Sequence, residues 1–121
     1  MRFFRRKRCK IVYCSEYFSA IHGQTAHRSF DVMKFKKVRD RLIKDKLIRR
    51  KDVLSAPRTS DEDLRLVHTK EYLDTLKNPM IIGKILNLNY VNPWDEYIFE
   101  FFRYVSGGTF IAAEYALEHH L

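Results

Sequence analysis

Two short apolar runs, Ile11-Val-Tyr-Cys14 and Asp52-Val-Leu-Ser-Ala-Pro57, flank a long stretch of helical periodicity, and that order restricts the chain most. The first run is β-branched and aromatic, follows a polar leader, and reads as a buried strand. The second reads as a strand or an extended segment closed by Pro57, because a proline ring pushes the preceding residue away from helix. Ser15 to Arg28 is polar, contains Gly23 and has no period, so a loop is expected there. From Phe30 to about Ile48 the pattern is helical. Phe35, Val38 and Leu42 form an apolar stripe at i, i+3 and i+7, with Lys and Arg on the other faces. Strand, helix, strand and then helices is the order of an α/β fold.

The second half supplies the helices. Thr59 and Ser60 stand before Asp61, Glu62 and Asp63. A hydroxyl cap followed by carboxylates satisfies orphan amides and complements the helix dipole. The helix so opened carries Leu64, Val67 and His68. Lys70 to Lys77, with Tyr72, Leu73 and Leu76, forms another short helix that Asn78-Pro79 stops. Met80 to Tyr90 is apolar but poorly periodic, a weak helical signal. Asn92-Pro93 marks the next start, with Asp95 and Glu96 in its first turn. Ile98, Phe101, Phe102, Val105, Ala112 and Ala116 then share a face at helical spacing. Gly107 and Gly108 interrupt it at a cost of about 1 kcal/mol each against alanine. Such a pair either admits a neighbouring backbone closely or splits the helix in two.

A chain of 121 residues makes one domain. Its hydrophobic fraction of 45% and aromatic fraction of 14% exclude a disordered tail. No apolar run approaches the ~20 residues that cross a bilayer. The start, Met1-Arg-Phe-Phe-Arg-Arg-Lys-Arg-Cys-Lys10, looks like the charged end of a signal peptide, but Ile11 to Cys14 is too short for a signal's apolar segment. Cys9 and Cys14 are too few for a disulfide scaffold and suit a reducing compartment, so a cytoplasmic protein without membrane association is expected.

The net charge of +8 is unevenly spread. Residues 1–10 hold six basic groups and no acid, and residues 28–51 hold eleven basic against three acidic groups. Residues 52–121 reverse the balance, with six basic against eleven acidic groups. A basic front could attract phosphates, or belong to one end of a larger protein; a solvated helix face with a basic tail is the plainer account.

Cys9, Cys14, His22 and His27 bring together the ligand types of a zinc finger. Their central spacer falls short of the usual ~12 residues, and the finger's helix pattern is missing. Along a strand Cys9 and Cys14 would also face opposite sides. A buried strand cysteine and two loop histidines is the better reading. No nucleophile elbow G-x-S-x-G and no H-E-x-x-H occurs, and Gly107-Gly-Thr109 lacks the lysine and preceding strand of a phosphate loop. His119 and His120 fall at a helix end.

Three stretches, in order, carry more than composition: His27-Arg-Ser-Phe-Asp-Val-Met-Lys-Phe-Lys-Lys-Val38, Ser60-Asp-Glu-Asp-Leu-Arg-Leu-Val-His-Thr-Lys-Glu-Tyr-Leu73 and Gly107-Gly-Thr-Phe-Ile-Ala-Ala-Glu-Tyr-Ala-Leu117. Together they resemble the amino-terminal part of the histone deacetylase family, above all its class IV members and the bacterial deacetylase-like proteins related to acetoin-utilisation proteins. The most specific stretch is Val67-His-Thr-Lys-Glu-Tyr-Leu73. The chain departs from the family where a proline is expected, with Ser29 or Phe30 in its place.

The resemblance implies the arginase/deacetylase fold, a parallel sheet flanked by helices, with residues 1–10 as a basic leader and 11–121 as an incomplete, helix-rich front portion. Family members are zinc-dependent hydrolases that remove acyl groups from lysine or small amines. Their zinc sits on two aspartates and a histidine, and a histidine pair after a glycine-rich strand assists the attacking water. This sequence has no Asp-x-His, and His119-His120 lies within a helix instead of after such a strand. The expectation is therefore no catalytic residue, no metal ligand and no cofactor in this chain, with zinc belonging to the complete domain, and no deacetylase activity alone. Without a metal, the water keeps its high pKa and the amide carbonyl loses its Lewis acid. His27, Asp31 and Lys34 fall in the segment that, in the family, approaches the inner wall of the active-site channel. A complementary carboxy-terminal fragment, or a second copy, is the expected partner through exposed apolar surface. The competing reading is a small basic protein that uses residues 1–10 and 28–51 on nucleic acid.

Overall fold

The computed structural model describes residues 9–19, 33–85 and 97–121. Strand β1, Ile11–Val12, pairs in parallel with β2, Val53–Leu54, in the register Ile11 with Val53 and Val12 with Leu54. The Tyr13 amide extends the ladder by donating to the Leu54 carbonyl at 2.9 Å. Parallel strands cannot be joined by a tight turn and need a crossover of a dozen residues or more. Two helices lie within that crossover: α1, Glu16–Ser19, and α2, Met33–Lys44. The result is helix-rich with a small parallel sheet, as an α/β portion requires.

α1 lies inside the stretch expected to be loop. It forms because Tyr17 is buried, not because of any period: the Tyr17 amide turns back onto the Cys14 carbonyl at 3.3 Å, carrying the ring into the core. α2 ends at Lys44, short of the expected Ile48. Lys46 takes a left-handed φ of 57°, and the Leu47 and Ile48 amides both donate back to the Leu42 carbonyl, at 3.0 and 3.4 Å. The reversal buries Ile48, which a continued helix would not do.

A 3₁₀ turn, Arg50–Asp52, leads into β2. Next come α3, Asp61–Arg65; α4, Lys70–Thr75; α5, Pro79–Ile85; and α6, Tyr97–Glu118. Ser60 caps α3 by accepting from the Asp63 amide at 3.0 Å, and Thr69 caps α4 by accepting from the Tyr72 amide at 3.2 Å. Pro79 both ends the preceding turn and opens α5, a first-turn position where its missing N–H is no loss. Val67 and His68 lie beyond the end of α3 and are exposed, so the apolar face expected of them is not buried.

The core gathers Cys14, Tyr17, Ala56 and Phe101, with Phe35, Tyr104 and Val105 against it. Burying each large apolar side chain stabilises by about 1.5–3 kcal/mol. α6 reaches this core because it carries the two glycines, and it runs through them unbroken. A β-carbon on Gly107 would strike the Pro57 carbonyl, with the carbonyl carbon at 2.9 Å and Thr59 Oγ1 at 3.4 Å. On Gly108 it would strike the Tyr17 hydroxyl and come within 3.5 Å of Ala56 Cβ. Of the two roles a glycine pair could play, close approach is the one realised. The rear of α6 is uncovered: Phe110 is 67% and Leu117 78% exposed.

Asp52, 1% exposed, ties the two strand entrances together. It accepts from Lys10 Nζ at 2.9 Å, from the Arg49 amide at 2.9 Å and from Arg49 Nε at 3.0 Å. The Arg49 guanidinium, and after it the Lys10 ammonium, hold its carboxyl far below the usual carboxylate range.

Two outcomes follow. Gly107→Ala, which helix propensity alone would favour by about 1 kcal/mol, is expected to destabilise by about 1–3 kcal/mol through overpacking. Thr109→Ala, on the exposed side, should stay within about 0.5 kcal/mol; urea titration of both variants measures this. A carboxyl with its pKa depressed by folding adds stability that is whole above its unfolded value, ~3.9, and lost as pH falls through the folded one. Urea midpoints from about pH 7 to about pH 2 should therefore fall more steeply at the acid end for the natural chain than for Asp52→Asn, which starts lower at neutral pH.

Candidate functional site

α2 lays Phe35, Val38 and Leu42 toward Ile11 and Tyr13 of the first strand segment, leaving a groove of about 350 Å³ between them. Two cations stand over its aromatic walls. Lys34 Nζ lies 5.3 Å from the Phe35 ring centre, and the Arg39 guanidinium lies 4.2 Å from that of Tyr13. Arg39 is also anchored on Asp40 at 2.6 Å. Tyr17 closes the inner end, its hydroxyl donating to the Tyr104 carbonyl at 3.4 Å and its ring 5.6 Å from Phe35.

Burial pushes the Tyr17 phenol up to about 12 and the Cys14 thiol up to about 11. Both stay protonated at neutral pH, so the groove, which Tyr17 lines, meets no phenolate at its inner end. It offers an apolar surface with cations at the rim. Of the residues that the family resemblance singles out, Lys34 lines this groove, at the exposed start of α2. His27 and Asp31 lie outside the described residues, as do His22 and the turn at Ser29 and Phe30.

A second concavity lies between α3, α4, α5 and α6. Its two lobes, about 430 and 240 Å³, share Leu73, Leu76, Ile82, Phe99 and Arg103. Arg103, 6% exposed, is the residue that sequence reasoning missed. Its guanidinium pairs with Asp61 and, at 3.4 Å, with Glu100. Its carbonyl accepts from the Thr59 hydroxyl at 2.9 Å. Burial, with Arg58 nearby, lowers its pKa. Arg58 in turn grips Glu100 through two bonds of 2.5 and 2.7 Å. The one signal in the sequence was an arginine standing alone in an apolar helical stretch. His68 sits at the mouth of the smaller lobe, exposed and 5.0 Å from the Tyr72 ring, so its contact in the fold is aromatic.

Comparison with known proteins finds a distant likeness. Histone deacetylase 2 of Arabidopsis thaliana is 28% identical over 113 residues, which cover 89% of this chain and 29% of the relative. The relationship is distant and histone-deacetylase-like. The chain spans less than a third of that relative's length. No family model matches the chain, and no solved structure matches it. No helix among the described residues is long and apolar enough to cross a membrane.

Among the described residues no three His, Cys, Asp or Glu side chains converge. Cys14 is buried with its thiol protonated, while Cys9 is exposed. Alkylation separates the two thiols. At about pH 8 iodoacetamide should modify Cys9 at least about tenfold faster than Cys14, and denaturant should make the rates converge. Equal rates in the folded chain would contradict the burial of Cys14.

Proposed function

We propose that this chain is the front section of a deacetylase-like hydrolase with the arginase/deacetylase arrangement. The complete unit would be a zinc-dependent hydrolase that releases acyl groups from lysine or small amines. The likeness to histone deacetylase 2, which runs through 89% of the chain, carries this reading. The parallel β1–α–β2 unit and the order of the three motif stretches support it.

In this reading the section contributes scaffold and channel wall, not the metal centre. Lys34 stands where a cation would draw an anionic acyl product by charge alone, and His27 and Asp31 share its segment. The metal ligands would come from groups outside these 121 residues, since Asp-x-His is absent from them. When bound, zinc would activate water and polarise the amide carbonyl. Two features support a covering partner, either the complementary section or a second copy. Among the described residues β1 pairs with β2 alone, and the rear of α6 presents Phe110, Leu117 and Leu121 to solvent. Two free thiols, Cys9 and Cys14, support a reducing, cytoplasmic setting.

The purified chain, supplied with zinc and an acetyl-lysine peptide, is expected to release no acetate above the buffer rate. Turnover that a chelator abolishes would overturn the division of labour proposed here.

A further inference from the structure

We infer that the concavity between α3, α4, α5 and α6 is a binding site for a small aromatic carboxylate, with its head group on the buried Arg103 and its ring in the smaller lobe. The site stands apart from the Lys34 groove, and nothing in it depends on the deacetylase-like reading.

A guanidinium drawn into the interior keeps its charge, so its N–H donors all need acceptors. Those of Arg103 are incompletely met. Glu100 already receives two short bonds from Arg58, at 2.5 and 2.7 Å, and reaches Arg103 Nη1 only at 3.4 Å. Asp61 pairs with Nη2 from a mostly exposed position at the start of α3. Nε is buried and has no hydrogen-bond partner among the described residues. A buried donor left empty costs its full desolvation, and an acceptor arriving in the cavity would recover it.

The surrounding charge has the sign for such an acceptor. Asp74 is held by Lys70 and Lys77, at 3.1 and 2.7 Å. Arg65, on the wall of the larger lobe, makes no ion pair among the described residues. Counting Arg58 with the lining, five cations stand against three carboxylates. The excess is positive and lies at the lobe that holds the guanidinium. A carboxylate suits it better than a phosphate. It is planar, carries one charge and accepts along a guanidinium edge, whereas a phosphoryl dianion would press more negative charge on Asp61 and Glu100.

The smaller lobe specifies the rest of the molecule. Its walls include His68, Tyr72, Phe99 and Phe102, with Leu64 and Ile85. Aromatic walls receive another ring edge-on or offset, and gain more from it than from an aliphatic chain of equal area. The lobes, about 430 and 240 Å³, match the scale of small-molecule sites, about 300–1,000 Å³. Both are lined by Arg103 and Phe99, so an anion at the guanidinium and a ring in the apolar lobe belong to one ligand.

Calorimetric titration of the full chain with 2-naphthoate at neutral pH tests this, and a dissociation constant below about 1 mM is expected. The neutral isostere 2-naphthamide brings the ring without the charge and should bind at least about tenfold more weakly. Arg103→Gln should weaken 2-naphthoate by at least about the same factor. Ser106→Phe, which fills the smaller lobe from its wall, should also cost at least about tenfold, whereas Thr109→Phe, outside the lining of both lobes, should stay within about twofold. If circular dichroism shows Arg103→Gln unfolded, the amide comparison and the two phenylalanine variants are read instead. The site is overturned if 2-naphthoate binds the natural chain more weakly than about 1 mM, or if the amide or folded Arg103→Gln binds as tightly. It is equally overturned if Ser106→Phe and Thr109→Phe behave alike, or if inorganic phosphate displaces 2-naphthoate more effectively than acetate does.

Discussion

A parallel ladder only two residues long on each strand has little of its own to fix which residues face each other. In this chain the ion pair between Lys10 and Asp52 does so. Because Ile11 faces Val53, Lys10 and Asp52 sit one step before the strands at the same level, and the contact continues the register beyond the last backbone pair. A slip by one residue would turn each strand's side chains to the opposite face. It would also take Lys10 away from a nearly buried carboxylate, leaving Arg49 alone to balance it. The same carboxylate caps the 3₁₀ turn through the Arg49 amide, so turn, strand and leader are held at a single group.

Around that group the chain sorts its charge. The cations of the front divide into those that neutralise neighbouring acids and those at the end of α2 that do not. On the far side, Arg103 and Arg58 cross-link α6 to the segment after β2 through Glu100 and Asp61. One region of the surface keeps its charge open to solvent. The other pairs its charges around a single buried guanidinium, that of Arg103. Composition treats both as basic residues and cannot separate them.

The elements that were legible in the sequence are those with a local cause. Ser60 and Thr69 announce their helices because a hydroxyl cap acts within three residues. The two β-branched runs announce strands because their side chains suit a sheet. What stayed hidden depends on distant partners. Tyr17 draws its neighbours into a helical turn only because Phe101, eighty-four residues away in the chain, completes its pocket. Ile48 breaks α2 for a similar reason, by being buried. Arg103 gave no motif because its partner Asp61 lies on another element. Of the three residues singled out by family resemblance, Lys34 is found on the groove wall, and His27 and Asp31 fall outside the described residues.

The unbroken passage of α6 through Gly107 and Gly108 makes its helicity conditional. Two adjacent glycines give that turn the weakest intrinsic preference for helix along its length. What sustains it is Pro57 and Tyr17 pressed against the gap where side chains would be. Docking and helix formation at the middle of α6 are therefore one event, and the exposed turns beyond it inherit their order from a contact they do not make.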